Sequence, residues 1–396
     1  MPDRPPVSFL VSDLASNSVG AVVRMARHLA PEFPSEIVGP CLRGAPNEMY
    51  RREFPFRVVD VPRVYRFPDF FPAVRKLADA ASGDVLVVMK AFAPALPAAL
   101  LAKKRRGARV AVYLDEWDGA TPASWTARER LRHLARDWMH PCDDLWTPYW
   151  EQHLKQADLV LGTTTFLARK FGAVRYDLGA DADFFRPQPP ESAAALRREL
   201  GLEGRRLLVF GGVARAHKGL EPFAEGAAAA GWTLLLAGPA NDCAASLQAR
   251  YGEAVRCTGA IPHADMPRHL ALADALAVPL GTGLLASSQM PCKLYEAMAM
   301  AKPVLASAVS DVPDVLDGCG WTVPPGDPAA VADALRAVAA DPAEAARRAA
   351  AARARCVAEY AAPVVGARLR DLVRSLAASP ALSRRNACGG SSTSGT

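Results

Sequence analysis

Two basic side chains follow an apolar stretch near the middle of the chain, and their spacing indicates an anion site. The run Arg206-Leu-Leu-Val-Phe210 is followed by Gly-Gly-Val-Ala-Arg-Ala-His-Lys-Gly, which places Arg215 and Lys218 three residues apart. A parallel strand that ends in glycines and opens a helix offers free backbone N–H groups and the positive end of the helix dipole. Gly211 and Gly212 would also allow a ligand to approach the backbone closely. A diphosphate is the anion that fits best.

Two common phosphate loops do not match this segment. The P-loop needs Gly-Lys followed by Ser or Thr, but His217-Lys218-Gly219 stands in its place, and the G-x-G-x-x-G fingerprint is absent. By itself the segment is equally compatible with a solvated loop.

A second group of polar residues lies in Ser-Ser-Gln-Met-Pro-Cys-Lys-Leu-Tyr-Glu, residues 287–296. Pro291 suits the first position of a helix, so Lys293 and Glu296 are expected near the helix start on one face. An acidic side chain there can accept hydrogen bonds from both hydroxyls of a ribose, while Lys293 faces phosphate. Ser287, Ser288 and Gln289 precede the helix in a loop. The alternative is a surface helix with an ordinary ion pair between Lys293 and Glu296.

The elements that must position these residues are short apolar strands alternating with helical patterns. Near-continuous apolar strands separated by helices are typical of a parallel sheet covered on both faces, which predicts an α/β protein. The predicted strands are 7–12, 36–39, 57–62, 84–90, 109–115 and 157–164 in the first half, and 206–212, 233–239, 254–259, 274–280, 302–307 and 321–326 in the second. Amphipathic stretches at 19–30, 72–81 and 94–105 predict helices.

The pattern predicts two doubly wound, Rossmann-like domains with a cleft between them. Three prolines within residues 186–191 disfavour regular structure and mark the boundary, so we expect domains at 1–187 and 188–362. Residues 328–358 and 364–378 are expected to be helical. The low-complexity tail, residues 380–396, is expected to be disordered.

Composition excludes several classes of protein. The net charge of +6 over 396 residues is modest, and no nucleic-acid-reading motif is present, so no nucleic acid partner is expected. The eight cysteines show no metal-ligand spacing and are interpreted as reduced thiols, mostly in the core. No signal peptide and no apolar run of membrane-spanning length is found. The expected location is cytoplasmic, with peripheral contact at the inner membrane face left open.

The two motifs together, Gly-Gly-Val-Ala-Arg-Ala-His-Lys-Gly-Leu-Glu and Pro-Cys-Lys-Leu-Tyr-Glu-Ala-Met-Ala-Met-Ala-Lys-Pro, resemble those of the family-4 (group 1) glycosyltransferases of the GT-B fold. The resemblance extends over nearly the whole chain, with segments 157–187 and 259–280 similar to the family's interdomain and base-binding stretches. It implies that residues 1–187 form the acceptor side and 188–362 the donor side. It also implies that a helix at 363–379 crosses back onto the N-terminal domain.

Transferred by position, the resemblance implies a set of donor-binding residues. Arg215 and Lys218 would hold the donor diphosphate, and Glu296 would bind the ribose. Ile261 and Leu294 would lie by the base, and Gly20 would match a glycine loop that faces donor and acceptor. The remaining donor-binding candidates are Gly212, Ser288, Gln289 and Lys293.

The chain departs from the family pattern at two places. The family usually carries two glutamates with seven residues between them, and the first of these is replaced by Ser288. Where the family often has a histidine after an N-domain strand, Asp115, Glu116 and Asp118 stand instead. Asp115 or Glu116 could orient an acceptor or receive its proton, together with Arg215 and Lys218 as the catalytic candidates. A helix cap in a solvated turn is the alternative for these carboxylates.

Aromatic side chains are concentrated in residues 125–150, at Trp125, Trp138, Trp146, Tyr149 and Trp150. Ordinary helix packing explains them best. An apolar acceptor surface or weak peripheral contact with a membrane is the alternative.

The function implied by the resemblance is transfer of a sugar from a nucleotide-diphosphate donor to an acceptor hydroxyl or amine, with retention. No cofactor or metal is expected, because the cations would neutralise the leaving diphosphate. A UDP-sugar is favoured slightly over a GDP-sugar, and the acceptor is open: a small molecule, a lipid-linked compound or a glycan. The alternatives are a nucleotide-sugar epimerase of the same fold and a non-catalytic nucleotide- or glycan-binding module.

Overall fold

The first half of the chain forms a seven-stranded parallel sheet. The computed structural model describes residues 4–42, 44–61 and 66–378. The sheet has the strand order β3-β2-β1-β4-β5-β6-β7. Its strands are β1 (Val7–Leu10), β2 (Ser35–Gly39), β3 (Phe56–Val58), β4 (Val85–Met89), β5 (Arg109–Leu114), β6 (Leu159–Gly162) and β7 (Val174–Arg175).

The second half forms a six-stranded parallel sheet in the order β10-β9-β8-β11-β12-β13. Its strands are β8 (Leu207–Gly211), β9 (Thr233–Ala237), β10 (Val255–Cys257), β11 (Ala275–Val278), β12 (Val304–Ser307) and β13 (Trp321–Val323). The two doubly wound sheets confirm the predicted fold class. The apolar runs predicted every strand except β7, which at two residues is too short to show a pattern.

Helices connect the strands and cover both faces of each sheet. In the first half they are α1 (Val19–Leu29), α2 (Glu48–Arg51), α3 (Phe70–Ala80), α4 (Ala95–Arg106), α5 (Ala120–Ser124), α6 (Ala127–Asp137), α7 (Thr147–Glu151) and α8 (Thr165–Phe171). In the second half they are α9 (Pro190–Glu199), α10 (Leu220–Ala229), α11 (Asp242–Tyr251), α12 (Met266–Leu270), α13 (Leu284–Ser287), α14 (Cys292–Ala299), α15 (Val312–Leu316), α16 (Pro328–Ala340), α17 (Pro342–Arg355) and α18 (Ala362–Ala378).

The strands are buried because helices lie on both sides of each sheet. All five residues of β4 and all five of β9 are buried, as are all four of β11. Alternate residues of a strand therefore enter different cores: Val85 and Val87 pack on one face of the first sheet, and Leu86 and Val88 on the other. This double burial is why the strands appear in the sequence as continuous apolar runs.

The last helix, α18, packs against the first domain although it follows the second in sequence. Val365, Leu369, Val373 and Leu376 enter the same core as residues of α1 and β1. The segment that leads into it is fixed by the parallel bridge between Ala180 and Ala361. The helix begins at Ala362, so the expectation that it starts after Pro363 was wrong by two residues. A proline is tolerated there because first-turn N–H groups have no partner within the helix.

Hydrogen bonds and an ion pair join the two domains beside this crossing. Arg175 Nη1 lies 2.7 Å from Asp311 Oδ2, which also accepts from the backbone N–H of Thr165 at 2.8 Å. Tyr295 Oη donates to Asp177 Oδ1 at 2.6 Å, and both groups are buried. The carboxyl ends of the two sheets consequently face each other.

Several sequence expectations need correction. Helix α9 begins at Pro190, so the proline-rich segment is regular at its end rather than irregular throughout. Of the seven described cysteines, all free, only Cys319 and Cys356 are fully buried, so the expectation that most lie in the core was wrong.

Residues 380–396, predicted to be disordered, lie outside the described residues. Among the described helices, none is long and apolar enough to cross a membrane.

The packing of α18 gives the first testable prediction. Leu369 is fully buried between α18 and the first domain, so Leu369→Ala should lower the free energy of unfolding by about 2–5 kcal/mol. Urea unfolding monitored by circular dichroism measures this change. Arg368→Ala, on the exposed side of the same helix, is the control and should change stability by less than about 0.5 kcal/mol. Equal effects of the two substitutions would contradict the crossing.

Candidate functional site

A cavity of about 230 Å³ lies between the two domains, at the carboxyl edge of the second sheet. Gly211, Lys293 and Glu296 line it from the second domain. Arg24 of α1 and Tyr50 of α2 line it from the first. Open α/β sheets bind ligands at this edge, where loops and helix starts converge. The cavity therefore unites predicted site residues with two that the sequence reasoning missed.

Glu296 lies in the second turn of α14 and is held by the opposite domain. Arg24 Nη2 lies 3.6 Å from Glu296 Oε1, and Arg24 Nη1 donates to the carbonyl of Gly179 at 3.0 Å. The described ion pairs of Glu296 do not include one with Lys293, so the alternative of an ordinary pair within the helix does not apply. Pro291 is the N-cap of α14 rather than its first helical residue. The helix begins at Cys292.

Lys293 lies against the backbone at the end of β8. A Cβ atom on Gly212 would overlap the Lys293 ammonium group, and Gly212 has a φ of 130°. Only glycine combines that conformation with that clearance, which explains the second glycine of the motif. The Gly212 N–H, however, donates to the carbonyl of Ala237 at 2.8 Å and is not free for a ligand.

Arg215 and Lys218 follow in a loop rather than at a helix start. A 3-10 turn covers Ala216–Lys218, and α10 begins only at Leu220, so the expectation that the strand opens directly into a helix was wrong. Burial lowers the pKa of Lys218, and the charges of Lys293 and Arg215 lower it further, against the opposing charge of Glu116. The three cations therefore repel one another across the loop, and a bound anion would relieve that repulsion.

The carboxylates after β5 converge on a buried lysine that the sequence reasoning missed. Lys90 Nζ lies 2.7 Å from Glu116 Oε1, 2.7 Å from Asp118 Oδ1 and 3.2 Å from Asp115 Oδ1. Lys90 directly follows β4, neighbour of β5 in the sheet, and its φ is 65°. These carboxylates are thus neither helix caps nor a solvated turn.

Burial and mutual charge set the protonation of this cluster. Burial alone would lower the pKa of Lys90, but the three carboxylates raise it well above its ordinary value. Burial raises the pKa of Asp118 to about 7, although Lys90 acts in the opposite direction. Burial likewise raises the pKa of Asp115 against the effect of Lys90, and Glu116 raises it further. Lys90 is therefore charged, while Asp118 exchanges its proton near neutral pH.

Two residues of the loop before α14 connect this cluster to the cations. Gln289 Nε2 donates to Glu116 Oε2 at 2.8 Å, and Lys218 Nζ donates to Gln289 Oε1 at 3.5 Å. Ser288 is fully buried, and its hydroxyl accepts from the backbone N–H of Trp117 at 2.9 Å. The serine at the position of the family's first glutamate thus binds the opposite domain and is closed to solvent.

Of the predicted donor-binding residues, only Lys293 and Glu296 line the cavity. Its lining does not include Gly212, Arg215, Lys218, Ser288 or Gln289, and it does not include three further predicted residues. Leu294 is fully buried in the core of the second domain, and Ile261 is half-buried against the same core. Gly20 lies in the first turn of α1 rather than in a loop. A Cβ atom there would lie 2.6 Å from Tyr50 Oη, so Gly20 allows Tyr50 to pack at the cavity wall.

The aromatic residues of 125–150 divide into packed and exposed groups. Trp150 is buried and donates through Nε1 to the carbonyl of Pro141, and Trp125 stacks on His133 with ring centroids 3.8 Å apart. Trp138 and Tyr149 are instead exposed. Helix packing therefore accounts for only part of this cluster.

The raised pKa of Asp118 predicts a pH-dependent effect on stability. In the folded chain the Asp118 carboxyl has a pKa of about 7, whereas in the unfolded chain it has the ordinary pKa of 3.8. The free energy of unfolding therefore falls as pH rises from 3.8 to about 7, because the unfolded chain releases the proton first. Asp118→Asn cannot ionise, so its stability relative to wild type should rise from pH 5 to pH 8. Urea unfolding at both pH values measures this, with the exposed Asp183→Asn as control. A constant difference between Asp118→Asn and wild type would contradict the assignment.

Comparison with known sequences confirms the predicted resemblance. Residues 204–341 match the family model described as glycosyl transferases group 1. WcaL of Escherichia coli (strain K12), assigned to colanic acid biosynthesis as a glycosyltransferase, is 27% identical over 205 residues. These residues are 48% of this chain, and the chain spans about half the length (50%) of that relative. The residues that the family model matches include Arg215, Lys218 and Glu296.

Solved structures of GT-B glycosyltransferases share the fold over nearly the whole chain. Alr3699/HepE of Anabaena in complex with UDP superposes with a TM-score of 0.73 at 16% identity, covering 93% of this chain and 100% of that one. The same protein in complex with UDP-glucose gives a TM-score of 0.72 at 16% identity, covering 94% and 100%. The sucrose-phosphate synthase of Thermosynechococcus elongatus gives 0.70 at 18% identity, covering 94% and 99%. The fold is therefore GT-B.

Proposed function

We propose that this protein transfers a sugar from a nucleotide-diphosphate-sugar donor to a hydroxyl or amine of an acceptor. The observation that carries the proposal is that the charges of Lys293 and Arg215 act on Lys218, and that Lys293 also lines the cavity that contains Glu296. Like charges close to Lys218 favour a polyanion as the ligand of this group, and the carboxylate of Glu296 in the cavity suits the hydroxyls of a ribose. A nucleoside diphosphate combines both groups.

The donor we propose is a UDP-sugar in preference to a GDP-sugar. Phe185 and His263 line the wall of the cavity and offer ring faces for the base. HepE, which has the same fold, is bound to UDP and UDP-glucose in its crystal structures. Glu296 would exchange its contact with Arg24 for the ribose hydroxyls when the donor binds.

In the proposed reaction the bond between the sugar C1 and the diphosphate breaks, and a bond from C1 to the acceptor oxygen or nitrogen forms. Arg215, Lys218 and Lys293 would stabilise the negative charge that develops on the leaving diphosphate, so we propose that no metal and no cofactor is required. The acceptor proton would pass to a carboxylate of Asp115 or Glu116 or to the leaving phosphate. Retention at C1 belongs to the proposal through the family resemblance.

Nucleotide binding tests the proposal directly. UDP, GDP, ADP and dTDP are added to wild type, Arg215→Ala and Arg206→Ala, and the melting temperature is measured. At 100 times its Kd, a nucleotide adds about 2.7 kcal/mol of stability, which corresponds to several degrees. We expect UDP to stabilise wild type and Arg206→Ala, whose arginine is exposed at the opposite end of β8, but not Arg215→Ala. No response of wild type to any nucleotide would refute the proposal.

Turnover provides a second test, once an acceptor is identified by screening sugars, amines and lipid-linked glycans with UDP-glucose. Loss of one preorganised contact to a leaving group costs about 10²–10³-fold in turnover, so Arg215→Ala should reach that loss with its fold intact. Retention of more than about a tenth of wild-type turnover would exclude Arg215 as a catalytic residue. A donor sugar epimerised without acceptor would indicate an epimerase, and nucleotide binding without turnover would indicate a binding module.

The lowered pKa of Lys218 predicts how UDP affinity depends on pH. The free site holds Lys218 charged only below its lowered pKa, and a bound diphosphate favours the charged form. Affinity should therefore fall as pH rises through the alkaline range, with proton uptake on binding. Isothermal titration calorimetry from pH 7.5 to pH 10, in buffers of different ionisation enthalpy, measures both effects. In Lys218→Gln, binding should be weaker at pH 7.5 and lose this component of the pH dependence. An equal dependence of UDP affinity on pH in wild type and in Lys218→Gln would contradict the role of Lys218.

A further inference from the structure

Helix α6 presents its apolar face to solvent and its polar face to the protein. Leu131, Leu134 and Trp138 are 67%, 53% and 54% exposed, whereas Asp137 is the one buried residue of the helix. An ordinary surface helix has the reverse orientation, with its apolar stripe against the core. This outward apolar stripe can therefore contact a partner other than the described part of the chain.

Specific contacts within α6 and with the residue before its N-cap order the inward polar face of the helix. Asp137 accepts from His133 Nδ1 at 2.8 Å and from Arg136 at 2.7 Å through both of its oxygens. The His133 ring stacks on Trp125 at 3.8 Å. A capping box between Thr126 and Glu129 fixes the helix start.

Arginines border the apolar stripe on both sides. Leu131, Leu134, Ala135 and Trp138 recur at helical spacing, with Arg128 and Arg132 on one edge and Arg130 on the other. All three arginines are exposed. Apolar side chains with a tryptophan, flanked by cations whose stems can extend toward headgroups, are the pattern of a helix that lies in a membrane interface.

We propose that α6 docks on a lipid bilayer that contains anionic lipids, with Leu131, Leu134 and Trp138 entering the headgroup boundary and Arg128, Arg130 and Arg132 binding lipid phosphates. The charge of the flanks decides between occupants: a second copy of the helix would place the arginines of both copies against one another, whereas an anionic bilayer complements them. This docking does not depend on the transferase activity proposed above, because it uses none of the residues of the cavity.

Apolar burial and charge both contribute to membrane binding by a helix of this kind, and the two contributions can be measured separately. Co-sedimentation of the full chain with vesicles of phosphatidylcholine, with and without phosphatidylglycerol, measures the partition coefficient. We expect binding to the anionic vesicles, weakened by added salt, and much weaker binding to phosphatidylcholine alone. Absence of wild-type binding to the anionic vesicles would overturn the proposal.

Variants assign the binding to α6. The triple variant Leu131→Ser, Leu134→Ser, Trp138→Ser should reduce partitioning by at least about 100-fold, since three exposed apolar side chains are lost. The double variant Arg128→Gln, Arg132→Gln should reduce it by about 30-fold on anionic vesicles only. Val357→Ser, which removes an exposed apolar side chain of the second half, is the control and should bind as wild type does.

The same variants distinguish the competing occupant. Unchanged melting temperatures show that the substituted residues, exposed in wild type, are not required for folding. Equal vesicle binding by wild type and the triple variant would overturn the proposal. A wild-type dimer in analytical ultracentrifugation that becomes monomeric in the triple variant, without vesicle binding, would replace the bilayer by a second copy of the chain.

Discussion

The arrangement of the cleft depends on the ammonium group of Lys90, which lies among three carboxylates near the carboxyl ends of β4 and β5. Without that cation, the repulsion among the three partly buried carboxylates would be unbalanced and their protonated forms would be favoured. With it, Glu116 is oriented toward Gln289, and Gln289 toward Lys218. One buried charge on the first domain thus orients a cation on the second. The left-handed backbone at Lys90 is the local strain that this position accepts.

A second set of polar contacts fixes the relative position of the domains. These contacts are separate from the hydrogen bonds that lead from Lys90 to Lys218. Asp311 joins Arg175 and Thr165, and Tyr295 joins Asp177. Helix α18 adds apolar contact across the crossing. Tyr295 belongs to α14, so a shift of the helix that carries Lys293 and Glu296 would break its hydrogen bond with Asp177. The cations remain near one another for this reason, despite their repulsion.

The sequence allowed the sheets and the motif positions to be predicted, because both depend on local pattern. Parallel strands buried on both faces are continuous apolar runs, and Gly212, Lys218 and Glu296 are recognisable by spacing. The partners Lys90 and Arg24 were missed because each meets its carboxylates across a distance in sequence that no local pattern encodes. The signal that could have identified Lys90 is a lysine that ends an apolar strand, since burial of a lysine requires a counter-charge. Gly20 shows the opposite error, since a motif glycine proved to provide space for Tyr50.

The sequence of helix α6 predicts an amphipathic helix but does not determine its orientation on the protein. Its spacing of leucines and charges predicts a helix with two faces, but the pattern does not state which face meets the protein. In the structure the face with Asp137 and His133 lies inward, and these side chains contact Arg136 and Trp125 within the helix and its N-terminal flank. Natural sequences are consistent across levels, and departures from consistency concentrate where function requires them. The exposed leucines of α6 and the positive φ of Lys90 are two such departures: the ion pairs of Lys90 offset the second, and the bilayer contact proposed above would account for the first.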